Sequence, residues 1–193
     1  MIEFDFKGNS YKYIPFHQLT VEDLPDKKTY QQSPYLDIGC GFDIETSRIG
    51  DEKLSTMYVW QFALNEVTVI GRTWDEFKTF LKMLQTHYNL DSKNRLLVWV
   101  ANLSFEFSFI KGQCTWLVER KKPSIFALDK RSVIKATTEE FIEFRDSVVL
   151  TQLGLGKMAK NFGLSVQKLQ EDTKFNYDLP RHSLTPLTNE ELA

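Results

Sequence analysis

The chain has 193 residues, of which 42% are hydrophobic and 13% aromatic, and its formal net charge is −2. This length and apolar content suffice for one well-packed domain, whereas the slightly acidic balance excludes a protein dedicated to coating duplex DNA. Two cysteines, Cys40 and Cys114, are too few for a disulfide framework. No apolar stretch approaches the ~18 residues of a membrane span, so we expect a cytoplasmic protein with no membrane association.

The first half of the chain is dominated by short strands. Residues 1–35 form a lead-in with strands at "IEFDF" and "YKYIPF" and a polar, proline-bearing linker. Three strands follow at "LDIGCGFDIET", "TMYVWQFALN" and "EVTVIGRT". The segment Trp74–Tyr88 is predicted to be a helix, because its apolar residues recur with helical period and Thr73 with Glu76 forms a capping box. Arg95–Val100 is a buried strand by composition.

The second half continues with mixed elements. Strands are predicted at "SIFALD", "SVIKATT" and "FIEFRDSVVL", and helices at "LGKMAKNFG", ended by Gly163, and at "TNEELA", capped by Thr188 or Asn189. Three antiparallel strands, a helix and a strand returning beside the first form the opening of an RNase H-like α/β domain, in which helices flank a mixed central sheet. Composition alone does not select this fold over other α/β sandwiches. We assign 36–193 to this domain.

Two carboxylates stand one residue apart in "GFDIETS". Because a strand projects residues i and i+2 from the same face, Asp43 and Glu45 lie side by side there. Like charges in this position repel, and burying them unpaired costs roughly several kcal/mol. Taken alone, the pair is most simply interpreted as two solvated charges; a bound cation is the functional alternative.

The segment Val100–Gly112 allows two interpretations. Its alternating Leu and Phe residues favour a strand, whereas the length already used by Arg95–Val100 favours a helix that begins after Asn102. We take the helix, which places Asn102 and Glu106 on one face. Glu106 is then a third carboxylate able to meet Asp43 and Glu45. Carboxylates without His or thiolate partners select hard cations such as Mg²⁺ or Mn²⁺.

The order of these motifs resembles the 3′–5′ exonuclease domain of family B DNA polymerases, and most closely the protein-primed group of bacteriophages and linear plasmids. The resemblance covers about Leu36 to Ala193. "FDIET" is similar to the first exonuclease motif, "NLSFEFSFI" to the second, and "DSVVLTQLGLGKMAKNFGL" to a Ser/Thr-Leu motif with its following helix. The third segment is the most specific of the three, because it is particular to the protein-primed group.

The resemblance implies the DEDD exonuclease form of the RNase H-like fold and a two-metal site for Mg²⁺ or Mn²⁺, which could be half occupied. Asp43 and Glu45 match metal ligands of the first motif, and Glu106 matches that of the second, where Asp is usual. The residues that match contacts to single-stranded DNA are Thr46, Asn102, Phe105 and Ser147. The catalytic lysine of the family matches either Lys168 or Lys174, and we prefer Lys168. Val148 replaces the usual Leu of the Ser/Thr-Leu motif.

Family members carry a third exonuclease motif beyond the point where this sequence stops. We therefore expect a piece of a polymerase whose partners are single-stranded DNA and either the polymerase portion or a terminal protein. Three carboxylates could substitute for the metal-binding Asp of this third motif: Asp146, Asp172 and Asp178. For Asp146, capping of a turn is the simpler interpretation. The alternative function is a non-catalytic module that binds single-stranded DNA or docks to a polymerase subunit. The basic stretch Glu119–Pro123 could follow phosphates, but a solvated turn is the simpler interpretation.

Overall fold

The computed structural model describes residues 1–6, 8–27, 33–49, 54–129, 132–164 and 179–192. The strands are β1 (Ile2–Phe6), β2 (Asn9–Pro15), β3 (Cys40–Ile49), β4 (Leu54–Leu64), β5 (Val67–Gly71), β6 (Leu96–Val100), β7 (Val118–Glu119), β8 (Lys122–Pro123), β9 (Ile125–Ala127), β10 (Val133–Thr137) and β11 (Ile142–Asp146). The α-helices are α1 (Trp74–Tyr88), α2 (Leu103–Ile110), α3 (Ser147–Thr151), α4 (Leu155–Asn161) and α5 (Asn189–Leu192). Two 3-10 turns, Phe16–Gln18 and Val21–Asp23, follow β2.

Nine of these strands form one mixed sheet in the order β1-β2-β5-β4-β3-β6-β11-β10-β9, and β7 and β8 form a separate two-stranded ribbon. Strand β6 pairs parallel to both β3 and β11, while β3, β4 and β5 pair antiparallel. The predicted mixed central sheet is confirmed, including the strand that returns beside the first. Strands β1 and β2 extend the same sheet, because β2 pairs with β5. The lead-in segment and the domain after it therefore share one sheet.

Helix α1 has the predicted bounds, because strong local signals define both of its ends. The Thr73 side chain accepts a hydrogen bond from the Glu76 backbone N–H, and the Glu76 carboxylate accepts one from Thr73 in return. Asn89 ends the helix in the left-handed conformation, with φ 51°. The apolar face of α1 is fully buried against the sheet, where Phe80 stacks on Trp60 with 5.5 Å between ring centroids. None of the helices in the described residues has the length and apolar character to span a membrane.

The predicted strand at Phe141–Leu150 is wrong in its second half. Strand β11 ends at Asp146, and helix α3 begins at Ser147. The apolar, β-branched run after Asp146 favours a strand locally, but the Asp146 carboxylate accepts hydrogen bonds from the backbone N–H groups of Val148 and Val149 and starts a helix. The strand predicted from Leu36 similarly begins only at Cys40.

Three parallel strands bring the candidate site to one edge of the sheet. Asp146 pairs with Val100 in register, so β11 and β6 end at the same level. Helix α2 follows β6 directly, and helix α3 follows β11. Strand β3 passes alongside and continues to Ile49. Side chains near the ends of these three strands and at the starts of the two helices therefore lie close together.

Candidate carboxylate site

The acidic pair of β3 faces away from the core because its apolar neighbours face into it. Phe42 and Ile44 are each 4% exposed, whereas Asp43 is exposed and Glu45 is half-buried. This alternation fixes which face of the strand carries the carboxylates, since a slip of one residue would bury both charges. The pairing with β4 shifts register between Glu45 and Thr46, so the alternation is interrupted immediately after the pair.

Helix α2 delivers the third predicted carboxylate, and the helix interpretation of this segment is confirmed. Asn102 precedes α2 in the left-handed region, with φ 69° and ψ 58°, a conformation that Asn tolerates better than most residues. Its side chain does not cap the helix. Instead the Leu103 backbone N–H donates to Asp146 Oδ2 at 2.9 Å. Glu106 follows in the first turn of α2 and is only 3% exposed.

Asp146 holds the beginnings of two helices with one carboxylate. Its Oδ1 atom accepts from the N–H groups of Val148, at 2.7 Å, and Val149, at 3.1 Å, while Oδ2 accepts from Leu103 of α2. The predicted capping role is therefore confirmed for α3. The bond to α2 was missed, because the two partners are 43 residues apart and no local motif links them. Asp146 is 7% exposed.

Glu106 is buried among other carboxylates. The pKa of Glu106 is raised to about 8, and burial is the largest cause. The charge of Asp43, a hydrogen bond between the two side chains and the charge of Asp146 also contribute to the rise. At neutral pH and without a cation, Glu106 therefore holds a proton. Its Oε2 atom is buried and has no hydrogen-bond partner among the residues that the structure describes. A buried oxygen left in this state costs free energy, which an added cation or donor would recover.

The chemistry of these groups fits a hard divalent cation. All the available donors are carboxylate oxygens, and Mg²⁺ commonly binds proteins through one or two carboxylates plus waters and substrate phosphates. The structure brings Asp43 and Glu106 together, and Glu45 lies two residues from Asp43 on β3. Within the described ranges, however, no group of three or more His, Cys, Asp or Glu side chains is arranged to hold a metal ion. The convergence of all three carboxylates stays a prediction.

The residues predicted to contact single-stranded DNA lie on the same elements as the carboxylates of this site or directly next to those elements. Phe105, next to Glu106, is 43% exposed and packs on the neighbouring ring of Phe109, with centroids 5.3 Å apart, so it is not a core residue. Asn102 is exposed and Thr46 is half-buried. The Ser147 hydroxyl donates to the Val100 carbonyl at 3.1 Å and ties the end of β6 to the start of α3. Their contacts with DNA remain predictions.

The predicted catalytic lysine, Lys168, and its alternative, Lys174, lie outside the described residues, as do Asp172 and Asp178. The carboxylate site is therefore formed, within the described residues, by β3, α2 and the end of β11. Its assembled part consists of Asp43, Glu106 and Asp146.

Comparison with solved structures identifies a similar fold. Phi29 DNA polymerase complexed with single-stranded DNA aligns with a TM-score of 0.59 at 15% identity, over 80% of this chain and 28% of the polymerase chain. The same polymerase complexed with primer-template DNA, in a post-translocation binary complex, aligns with a TM-score of 0.58 at 16% identity over the same shares. No family model and no curated protein matches the sequence.

The chain thus spans 28% of the length of the polymerase chains that it matches. At this level of identity the likeness concerns the fold and not the activity. The predicted α/β fold with a mixed central sheet is confirmed. The resemblance indicated by the sequence motifs is borne out as a likeness of fold to phi29 DNA polymerase.

Proposed function

We propose that this chain is a metal-dependent nuclease module that removes 3′-terminal nucleotides from single-stranded DNA, as in proofreading during DNA replication. The observation that carries the proposal is the buried Glu106 carboxyl, which is hydrogen-bonded to Asp43 and has an oxygen without a partner. A protein gains nothing in stability from crowding carboxylates in this way. Perturbed carboxylates of this kind concentrate at functional sites.

Each residue has a role in the proposed reaction. Asp43 and Glu106 hold Mg²⁺ or Mn²⁺, and Glu45 completes the ligand set from the same strand. A bound divalent ion supplies Lewis acidity and activates water for phosphodiester hydrolysis. Phe105 stacks on the 3′-terminal base, which is worth ~1–3 kcal/mol. Asn102, Thr46 and Ser147 orient the strand around it.

The lysine assignment follows from the family resemblance. Lys168 assists catalysis in the proposed mechanism, and Lys174 is the control at the competing alignment. Lys168→Ala should slow single-turnover cleavage by ~10²–10⁴-fold, the usual effect of removing a positioned proton-transfer or charge-stabilising group. Lys174→Ala should leave cleavage close to that of the parent chain. The reverse result would move the role to Lys174.

The competing function is a non-catalytic module that binds single-stranded DNA or docks to a polymerase portion. The raised pKa of Glu106 favours it, because a proton held by this carboxyl competes with a metal ion. A single assay separates the two functions. A 5′-labelled single-stranded oligonucleotide is incubated with the chain and Mn²⁺, and both bound and shortened DNA are measured.

Asp43→Asn is the decisive variant, and Asp37→Asn is its matched control, since Asp37 is an exposed aspartate just before the same strand. We expect stepwise shortening from the 3′ end that EDTA abolishes, that Asp43→Asn lowers by ~10²-fold or more, and that Asp37→Asn leaves intact. Binding without shortening would establish the non-catalytic alternative. Shortening that persists in Asp43→Asn would overturn the assignment of the site.

Phe105 and Phe107 form a matched pair for the DNA contact. Phe105→Ala should weaken binding of single-stranded DNA about fivefold or more while leaving the melting temperature nearly unchanged, because the ring is 43% exposed. Phe107 packs on the core and on Trp116, with ring centroids 5.1 Å apart. Phe107→Ala should lower stability instead, with unchanged affinity of the folded fraction. Equal destabilisation by both variants would show that Phe105 is a packing residue.

A further inference from the structure

A cluster of positively charged side chains lies around the β7–β8 ribbon and strands β10 and β11, outside the carboxylate site. Six cationic side chains and two carboxylates of the described residues meet there, in a chain whose formal net charge is −2. The cations are Arg95, Arg120, Lys121, Lys122, Lys135 and Arg145, and the carboxylates are Glu119 and Glu143. We call this group the basic cluster.

The two carboxylates of the basic cluster are already engaged by its inner arginines. Glu119 accepts from Arg95 Nη2 at 2.9 Å, and Arg145 Nε donates to the fully buried Glu143 at 2.6 Å. Within the described residues, Arg120 and Lys122 have no ion-pair partner, and both are exposed. Arg120 and Lys122 therefore face solvent without an ion pair in the described part of the chain, although Glu119 is the register partner of Lys122.

The turn of the β7–β8 ribbon keeps its charges at a conformational cost. Arg120 and Lys121 form the two-residue turn between Glu119 and Lys122, with φ values of 51° and 66°. Hairpin turns with two positive φ values favour Asn-Gly or Gly-Gly, because a Cβ atom is crowded in the left-handed region. Two long cationic residues at these positions oppose local stability. Such a conflict between sequence and backbone occurs where function requires the side chains.

An open cleft of about 720 Å³ lies beside this turn. Arg120, Lys122 and Lys135 line it together with Phe126, whose ring is 54% exposed. Phe126 and Lys135 are register partners across β9 and β10, so their side chains project from the same face next to each other. The cleft thus joins two cations without an ion pair among the described residues, Arg120 and Lys122, to Lys135, which contacts Glu143, and to an exposed aromatic ring.

We propose that this cleft is a second binding site for single-stranded nucleic acid, separate from the carboxylate site. Arg120, Lys122 and Lys135 contact successive phosphates, and Phe126 stacks on an unpaired base. A combination of backbone-tracking cations with a stacking ring binds single strands with little sequence preference. A base-paired duplex does not offer its bases for stacking on Phe126. The proposal does not depend on nuclease activity or on bound metal.

The test is a fluorescence-anisotropy titration of the full chain with a labelled oligo-dT strand in EDTA, at several salt concentrations. The key variant is Arg120→Asn with Lys121→Gly, which removes two charges while giving the turn its preferred residues. We expect this variant to melt at a higher temperature than the parent chain and to bind the strand more weakly. Its slope of log K against log salt should fall by about 0.7 for each phosphate that the variant no longer neutralises.

Further arms separate the cleft from general charge effects. Phe126→Ala should weaken binding about fivefold or more. Lys82→Glu, at an exposed position of α1, changes the net charge by the same two units as the turn variant and should retain the parent affinity in EDTA. A duplex of the same length should bind more weakly than the single strand. Unchanged affinity and salt slope in the turn variant, or equal affinity for the duplex, would overturn the proposal.

Discussion

Two glutamates are buried on neighbouring elements of this fold, and their surroundings are opposite. Glu143 of β11 is fully buried, and its carboxylate meets Arg145 Nε at 2.6 Å, Arg95 Nη1 at 3.6 Å and Lys135 Nζ at 3.9 Å. The hydroxyl of Tyr35 also donates to it at 3.1 Å. Glu106 is 3% exposed and has carboxylates for neighbours.

The comparison shows how differently the same cost can be met. Taking a carboxylate out of water is unfavourable unless it is paired and hydrogen-bonded. The fold neutralises Glu143 with its own cations, whereas it leaves Glu106 with a raised pKa, a hydrogen bond to Asp43 and an Oε2 atom that has no partner among the described residues. Glu143 is therefore a structural group. Glu106 is the buried carboxyl whose proton a bound cation would have to displace.

The largest effect is expected from removing the neutralised charge. Glu143→Gln keeps the size of the side chain but leaves three cations without their shared carboxylate. Breaking a buried ion pair from one side costs ~3–5 kcal/mol. Because Lys135 and Arg145 are about a third exposed and can regain water, we expect a loss near the lower end, about 2–4 kcal/mol, in urea unfolding at pH 7.

Glu119→Gln is the control for this variant. Its carboxylate also pairs with Arg95, but it is 48% exposed, so its loss should cost less than about 1 kcal/mol. A loss for Glu143→Gln no larger than that of Glu119→Gln would show that the buried ion pairs contribute no more than surface ones. The pairing of Glu143 with cations would then not explain how the fold tolerates this buried carboxylate.

Glu106→Gln should raise the free energy of unfolding, whereas Glu143→Gln should lower it. With a pKa raised to about 8, folded Glu106 keeps a proton that the unfolded chain releases near its ordinary value, so the parent chain loses stability as pH rises from about 4.5 to 8. Gln resembles the protonated carboxyl and does not titrate. We expect the variant to match the parent near pH 4.5 and to exceed it by about 1–3 kcal/mol at pH 8.

Urea unfolding across this pH range measures the difference, with Glu66→Gln in the exposed β4–β5 turn as the control. The control should shift the unfolding free energy by less than about 0.5 kcal/mol at every pH. A parallel shift of Glu106→Gln at all pH values would mean that Glu106 is ionised in the folded state. Another group of the protein would then have to compensate the crowding of the carboxylates.

Local signals made the regular elements predictable from the sequence. The capping box and the apolar period fix α1 at Trp74–Tyr88 without any knowledge of its neighbours. The prediction from the sequence was wrong where a single side chain determines the secondary structure. The Asp146 carboxylate caps a helix, so the β-branched run after it forms α3 and not a strand. Strand preference for Val residues is weak compared with a satisfied helix start.

The site was predictable only in part, for the same reason. The periodicity of "FDIET" and the spacing from Asn102 to Glu106 predicted that Asp43 and Glu106 approach each other, and the two side chains are hydrogen-bonded. The ion pairs of Glu143 were not predictable, because Arg95 and Tyr35 are 48 and 108 residues away in sequence and no pattern joins them. Contacts between distant segments follow from the packed sheet and not from local periodicity.

A bound cation should erase the difference between the two glutamates. If Mn²⁺ binds Asp43 and Glu106, it must displace the proton on Glu106, so its apparent affinity should rise up to about tenfold per pH unit below pH 8 and level off above. Titration calorimetry in two buffers of different ionisation enthalpy would detect close to one proton released per ion at pH 6–7. Glu106→Gln should bind Mn²⁺ more weakly and without this pH dependence. Binding that is flat from pH 6 to 8 in the parent chain would show that the ion does not engage Glu106.

The smallest change in stability is expected for Asp146→Asn. Asp146 has two roles, because its carboxylate caps helices and its charge acts on Glu106. Asn at this position keeps one oxygen, so one of the three N–H groups now bonded to the carboxylate loses its acceptor. We expect a loss of about 1 kcal/mol at pH 5, where Glu106 is protonated. At pH 9 Glu106 is ionised and repelled by Asp146, so removing that charge should make the loss smaller.

Asp23→Asn supplies the control, since Asp23 also accepts from a backbone N–H, that of Thr20, at 2.8 Å. Urea unfolding at both pH values should show the same loss for Asp23→Asn and a smaller loss at pH 9 for Asp146→Asn; equal losses for Asp146→Asn at both values would show that its charge does not act on Glu106.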